Sequence, residues 1–317
     1  MKAVVVKKAG GPEVLEYTDV PTPMVKPGWS LVKVKGFGVN HSEIFTRKGY
    51  SPSVKFPRIL GIECVGIIED TTDPKNLPKG QTVISLMGEM GRDFDGGYAE
   101  YALLPNEQIY PVQSNLKWED LAAIPETYYT AYGALTGLKL TQGDSLLIRG
   151  GTSGVGVAAT KLAKAIDRDI HVTGSTRDLA KSDLMKDKGY DDVILDQDGS
   201  LQTKLQYDKI LDLIGPSTLK DSMNLLAVNG IISMTGELGG VWDIDKFDPI
   251  SMIPNNRYLT SFSSGDVKLS WIQDMLNIIE DKHVDVSPTK VYPLSQVDAA
   301  HAYLESGQSI GKVVVLV

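Results

Sequence analysis

Ser145-Leu-Leu-Ile-Arg-Gly-Gly-Thr-Ser-Gly-Val-Gly156 decides the architecture of this chain. Ser145 to Arg149 is a short apolar run of strand character, and from Thr152 to Ile166 the residues Val155, Ala158, Ala159, Leu162 and Ile166 recur at helical spacing. A glycine-rich turn thus joins a strand to a helix. Glycine lets the backbone turn tightly and approach another group closely, while the free N–H groups and the dipole of a helix start favour an anion. Gly151, Thr152, Ser153, Gly154 and Val155 are therefore candidates for holding a pyrophosphate, with a ligand-free tight turn as the alternative. No lysine follows Gly156, which disfavours a P-loop.

The alternation continues outward from the turn. Asp169 to Thr173 reads as the next strand, followed by a helix over Asp178 to Lys188 with Ser175 or Thr176 as N-cap and Gly189 as its stop. Val193 to Leu195, Lys209 to Leu213 and Ile231 to Thr235 supply three more strands, and a helix starting near Pro216 closes at Gly230. This β-α-β-α-β order predicts an α/β unit: a doubly wound parallel sheet covered by helices on both faces, of the kind that binds dinucleotides. About twenty residues past the glycine turn, an NAD site places an acidic residue for the ribose 2′-hydroxyl. This chain has Gly174-Ser175-Thr176-Arg177 there. Small hydroxyl residues leave room for a 2′-phosphate and Arg177 can meet it with a charge-assisted fork, so NADPH is favoured. Two alternatives stand: Asp178 folds back towards the ribose, or Arg177 is a solvated residue of the first helical turn.

The first ~115 residues have a different texture, with short β-type runs at Lys2 to Lys7, Ser30 to Gly36 and Gln81 to Ser85, punctuated by glycine and proline. They predict a compact, irregular β domain. Beyond about Asn255, Leu269, Ile272, Met275, Leu276 and Ile279 mark an amphipathic helix, Ser295 opens another that runs to Gly307, and Gly311 to Val317 is a terminal strand. That strand suggests a chain that returns to its first domain. The 317 residues suit two domains, with boundaries expected at 1–120, 121–258 and a return over 259–317.

Composition narrows the function. With 42% hydrophobic and 23% charged residues the chain is an ordinary folded protein, and its net charge of -8 without a long basic run disfavours nucleic acid as partner. The apolar run in Met1 to Gly11 is too short and too soon interrupted by charge for a signal peptide, and no stretch approaches the ~20 apolar residues of a membrane helix, so a cytoplasmic location is expected. Cys64 is the sole cysteine, and no two of His41, His171, His283 and His301 are spaced i, i+4. The sequence offers no metal cluster.

Taken together, these landmarks resemble the medium-chain dehydrogenase/reductase superfamily, in its zinc-independent quinone oxidoreductase branch, across essentially the whole chain. The resemblance implies a GroES-like β-rich catalytic domain beside a Rossmann nucleotide domain, and a homodimer built by extending the nucleotide-domain sheets, with Ile231 to Thr235 and Tyr258 to Ser263 as candidate edges. Where zinc relatives carry Gly-Val-Cys-His, the chain is similar in reading Gly38-Val-Asn-His-Ser-Glu43, so Asn40 stands at the thiolate position. Where they carry Gly-His-Glu, it reads Gly61-Ile-Glu63, so Ile62 stands at the imidazole position and Glu63 alone survives. One carboxylate is not a zinc site. The quinone oxidoreductases also resemble this chain at Ala122-Ala-Ile-Pro125 and Thr130-Ala-Tyr132.

By that resemblance Asn40 lies near the nicotinamide, where its amide bonds cofactor or substrate; the alternative is a turn residue that only holds its loop. Tyr50, after Gly49, is a candidate donor of a hydrogen bond or proton, unless it packs its ring and solvent supplies the proton. The resemblance also implies that Thr127 and Thr130 touch the nicotinamide side, and that Tyr190 and Leu213-Ile214-Gly215 cover the adenine side. Glu63 and His41 are expected to be structural and Cys64 a buried, inert thiol. Without a Lewis acid, an acceptor that is already electrophilic is the better match, so the expected activity is hydride transfer from NADPH to a quinone or related conjugated carbonyl. Two alternatives remain: an enal or enone double-bond reductase, and an NADPH-binding redox-sensitive or structural protein with little turnover.

Overall fold

Three consecutive β-branched valines after Ala3 give Lys2–Val6 (β1) its strand character, and it pairs antiparallel with Leu15–Asp19 (β2) and, after Trp29–Val39 (β3) and the helix His41–Arg47 (α1), with Arg58–Ile59 (β4). The computed structural model describes residues Met1–Val317. Glu63–Thr71 (β5), Thr82–Leu86 (β6), Tyr101–Pro105 (β7) and Tyr110–Pro111 (β8) pair antiparallel around β3, and Trp118–Ala122 (α2) follows.

The parallel unit begins within Pro125–Leu138 (α3) and runs through Ser145–Arg149 (β9), Gly154–Ile166 (α4), His171–Thr176 (β10), Ser182–Asp187 (α5) and Asp192–Gln197 (β11). A short Ser200–Leu201 (β12) turns back on β11; then come Tyr207–Asp212 (β13), Leu219–Asn224 (α6), Leu226–Met234 (β14), Pro249–Met252 (α7), Tyr258–Ser261 (β15) and Leu269–Asp281 (α8). The sheet order is β12-β11-β10-β9-β13-β14-β15, and every pairing except β11 with β12 is parallel. The order reverses at β9, so the glycine turn that leaves β9 lies at the topological switch point where doubly wound sheets bind ligands.

Lys290–Pro293 (β16), Val297–Glu305 (α9) and Val313–Leu316 (β17) complete the chain, and β17 pairs antiparallel with β3. Val313, Val314 and Val315 are fully buried there. At ~1.5–3 kcal/mol per buried side chain, this strand is a principal stabiliser of its sheet. The compact units are Met1–Glu126 with Val267–Leu269 and Val286–Val317, and Thr127–Asp266 with Ser270–Asp285. The first is an irregular, mainly antiparallel β unit and the second a doubly wound parallel sheet.

Several local expectations need correction. The return begins at Val286, not at 259, because Tyr258–Ser261 is the last strand of the parallel sheet and most of α8 stays with that unit. The helix expected from Pro216 to Gly230 ends at Asn224, since Leu226 already pairs with Tyr207 and Asn229 turns the chain at φ 66°. Asp178 caps the segment after β10, because Ser175 and Thr176 lie inside that strand. Ile231 to Thr235 is no edge: β14 is flanked by β13 and β15. No helix is long and apolar enough to cross a membrane.

Candidate functional site

The glycine turn is held from below by its own polar atoms. Ser153, the N-cap of α4, accepts from the Gly156 amide (3.0 Å) and donates to the Gly150 carbonyl (2.8 Å). The amides of Gly150 and Gly151 are taken by Ser175, through its hydroxyl (3.1 Å) and its carbonyl (3.0 Å). A Cβ at Gly156 would lie 2.8 Å from the Gly150 carbonyl, so a side chain there would force the helix off the turn. The amides of Thr152, Gly154 and Val155 have no protein partner. Three free donors at the start of a 13-residue helix fit a diphosphate.

Tyr190 stands under this turn. It is 3% exposed, its hydroxyl donates to the Gly151 carbonyl (2.7 Å), and its ring fills the space a Cβ on Gly174 would need. Its place is thus that of a buttress of the turn. At the end of β10 the Thr176 hydroxyl is engaged with the backbone of Asp178, and the Asp178 carboxylate caps the next turn by accepting from the Ala180 amide (3.0 Å). Asp178 is thereby held to its own loop, while Arg177 is exposed with no ion pair.

The turn after β13 is organised by a buried carboxylate that sequence reasoning missed. Asp212 accepts from the amides of Ile214 (2.9 Å) and Gly215 (3.1 Å) and from the hydroxyls of Thr218 and Ser222. Leu213 is buried, and Gly215 takes a φ of 110°, which only glycine adopts without strain. Thr127 and Thr130 are both buried on α3.

The β unit carries a separate polar cluster. Asn40 is the N-cap of α1 yet makes no capping bond with its side chain. Its Nδ2 donates to Glu63 Oε1 (2.8 Å) and, at 3.4 Å, to Glu43 Oε1. Lys312, at the mouth of β17, donates to Asn40 Oδ1 (2.5 Å) and Glu63 Oε1 (2.7 Å), and the Glu126 amide donates to Glu63 Oε2 (2.8 Å). Glu43 also accepts from the Ile62 amide (3.2 Å), and its Oε2 is buried without a hydrogen-bond partner. Neither Glu43 nor Lys312 was singled out in the sequence; the one available signal was a lysine opening a strand that returns to the first domain.

Burial, reinforced by the neighbouring Glu63, pushes the Glu43 carboxyl up to about 7. A folded-state value above the unfolded one means that no cost exists below the unfolded range near 4.5. The cost then grows as pH rises, reaching its full size above about 7. Glu43→Gln is therefore expected to gain about 3 kcal/mol relative to the parent between pH 4 and pH 8. Urea unfolding at both pH values checks this, and a pH-independent difference rejects it.

Other titratable residues named from the sequence lie in the same β unit. His41 is half-buried, and burial pushes its imidazole down to about 4, so it is neutral at pH 7. Tyr50 is 59% exposed after the left-handed Gly49. Cys64 is 1% exposed and burial pushes its thiol up to about 12. His301, fully buried between Arg47 and Tyr98, is likewise neutral, burial taking it down to about 3.

Comparison with known proteins completes the assignment. The model of the alcohol dehydrogenase GroES-like domain matches residues 26–114 and that of zinc-binding dehydrogenases matches residues 188–315. The quinone oxidoreductase of Lama guanicoe is 28% identical over 339 residues, covering 100% of this chain and 97% of that protein. The structure of the quinone oxidoreductase from Coxiella burnetii aligns with a TM-score of 0.85 at 26% identity, over 100% of this chain and 99% of that one. A mycobacterial structure complexed with NADPH aligns with a TM-score of 0.84 at 26% identity, over the whole of both chains. The chain belongs to the medium-chain dehydrogenase/reductase superfamily, and is thus a nicotinamide-dependent oxidoreductase. Within that superfamily it falls in the quinone oxidoreductase branch.

Proposed function

We propose that this oxidoreductase uses NADPH to reduce a quinone or related conjugated carbonyl compound, and that it does so without zinc. The observation that carries this reading is the Asn40-Glu63-Lys312 cluster. An amide and an ammonium stand around the Glu63 carboxylate, Glu43 is the one further acidic group beside them, and no group of three or more histidine, cysteine or acidic side chains is gathered to hold a metal. An ammonium competes with a cation for the same carboxylate, so the donor set does not fit zinc. The exposed Arg177, which makes no ion pair, supports NADPH over NADH, because it can meet a 2′-phosphate with a charge-assisted fork.

Bound NADPH would supply the hydride. The Thr152, Gly154 and Val155 amides would hold its diphosphate, Arg177 its 2′-phosphate, and the turn Leu213-Ile214-Gly215 would form a preorganised shelf beside it. Ser175 and Tyr190 keep the glycine turn in shape from beneath. Ser153 ties it with two hydrogen bonds, Gly151 and Gly174 leave room for the groups packed against it, and Thr127 and Thr130 are proposed on the nicotinamide side. Asn40 is proposed to donate a hydrogen bond to the acceptor oxygen, with Tyr50 on its exposed loop as a second donor. The free outer edge of β15, with Tyr258 55% exposed, supports a homodimer formed by sheet extension.

An acceptor panel assayed with both reduced cofactors tests the proposal. Quinones should consume NADPH faster than α,β-unsaturated ketones do, NADH should be the poorer donor, and activity should survive chelation in protein that carries no stoichiometric zinc. Faster turnover of enones would make it a double-bond reductase, and tight NADPH binding with no turnover would make it a binding protein.

A further inference from the structure

Lys312 has no part in the reaction as drawn above, yet the fold goes to some length to keep it where it is. It is 7% exposed, and stripping water from an ammonium costs several kcal/mol unless a charged partner compensates. Glu63, itself fully buried, is that partner. Space is cleared for the pair by Gly38 on β3: a Cβ there would overlap both the end of the lysine chain and Glu63 Oε1. The pairing of Val314 with Gly38 sets the register that brings Lys312 to this gap.

The partners settle how the Asn40 amide is turned. An ammonium only donates and a carboxylate only accepts, so Oδ1 must face Lys312 and Nδ2 must face Glu63. One N–H of Nδ2 is committed to Glu63 at 2.8 Å, whereas the other has only Glu43 at 3.4 Å, the long limit of a hydrogen bond. That second hydrogen is the one an incoming oxygen can claim. A cation bonded to the amide oxygen also draws density from the nitrogen and makes its N–H a stronger donor.

The geometry points to Lys312 as a positioning residue for the reaction: it locks the Asn40 amide and polarises it towards the oxygen of the acceptor. Hydride addition to a conjugated carbonyl leaves the transferred electron pair as negative charge on that oxygen, and a proton from solvent completes the reduced product. Lys312 thus passes positive charge through an amide to the place where negative charge develops. The assignment rests on the reading that Asn40 faces the acceptor.

Quinone reduction at saturating NADPH should be compared for the parent, Lys312→Met, Lys312→Arg, Asn40→Ala and the double variant, with NADPH affinity from fluorescence titration and folding from thermal melts. Lys312→Met is expected to lower kcat roughly 10–100-fold, below the loss for a direct oxyanion donor, with NADPH affinity changed less than about twofold. Lys312→Arg should recover most of that loss, and the double variant should be no slower than Asn40→Ala alone. Parent-like kcat in Lys312→Met, or losses that multiply in the double variant, would overturn the role. If Lys312→Met fails to fold, Glu63→Gln removes the lysine's anchor and should lower kcat likewise; parent-like kcat there also overturns it. A parent protein idle on every acceptor refutes the function proposed above and this role with it, whereas an active parent indifferent to Lys312 refutes this role alone.

Discussion

Arg149→Met is expected to lower the unfolding free energy by ~3–5 kcal/mol, the cost of stranding a buried charge by removing its partner. Arg149 is fully buried at the end of β9. Its fork meets both oxygens of Asp196 at 2.8 and 2.9 Å, and its Nη1 donates to Asp221 (2.9 Å), Ser222 (2.9 Å) and the Thr218 carbonyl (3.2 Å). Methionine replaces the volume but none of these bonds. Asp221, partly exposed, can be rehydrated, whereas Asp196 and the nearby Asp212 cannot. Ser222 bonds both Arg149 and Asp212, so the same change should loosen the Ile214-Gly215 turn and weaken cofactor binding. Chemical denaturation with a cofactor titration checks both; a loss under about 1 kcal/mol would mean that water or a shifted side chain replaces the guanidinium.

Arg177→Ala should weaken NADPH by ~1.5–3 kcal/mol, the range for hydrogen bonds to a charged group, or roughly 10–150-fold in Kd, while leaving NADH nearly unchanged. The argument is one of availability. Thr176 and Asp178 spend their polar atoms on the local backbone, and Arg177 alone projects from the end of β10 as an exposed, unpaired charge. Because the residue is exposed, the fold should not suffer. Titrating both cofactors against the variant decides the matter, and equal losses would remove Arg177 from the 2′-phosphate.

Much of the fold was legible because its signals are local. The apolar run of β9, the glycine turn and the helical spacing of α4 lie within about twenty residues, and each is a property of neighbours along the chain. Boundaries that depend on partners were not legible. Leu226 reads as helix by its surroundings and becomes strand because Tyr207 is beside it, and Ile231 to Thr235 is an inner strand instead of an edge because Tyr258–Ser261 pairs with it. The candidate site divides the same way. Ser153 and the free amides of the glycine turn follow from the motif, but Tyr190 turned out to brace that turn because Gly174 leaves a gap for its ring.

The sequence by itself determined the βα alternation, the glycine-rich strand-to-helix turn and the lack of a thiolate and imidazole at Asn40 and Ile62, since residue types and short spacings are enough to decide these. Only the tertiary structure decided that Lys312 meets Asn40 and Glu63 from 272 and 249 residues away, and that Asp212 and Arg149 hold the turn after β13. The reason is physical: the charge of a buried side chain is tolerated only where a distant strand delivers its counter-charge, and strand pairing, which periodicity does not encode, sets that delivery.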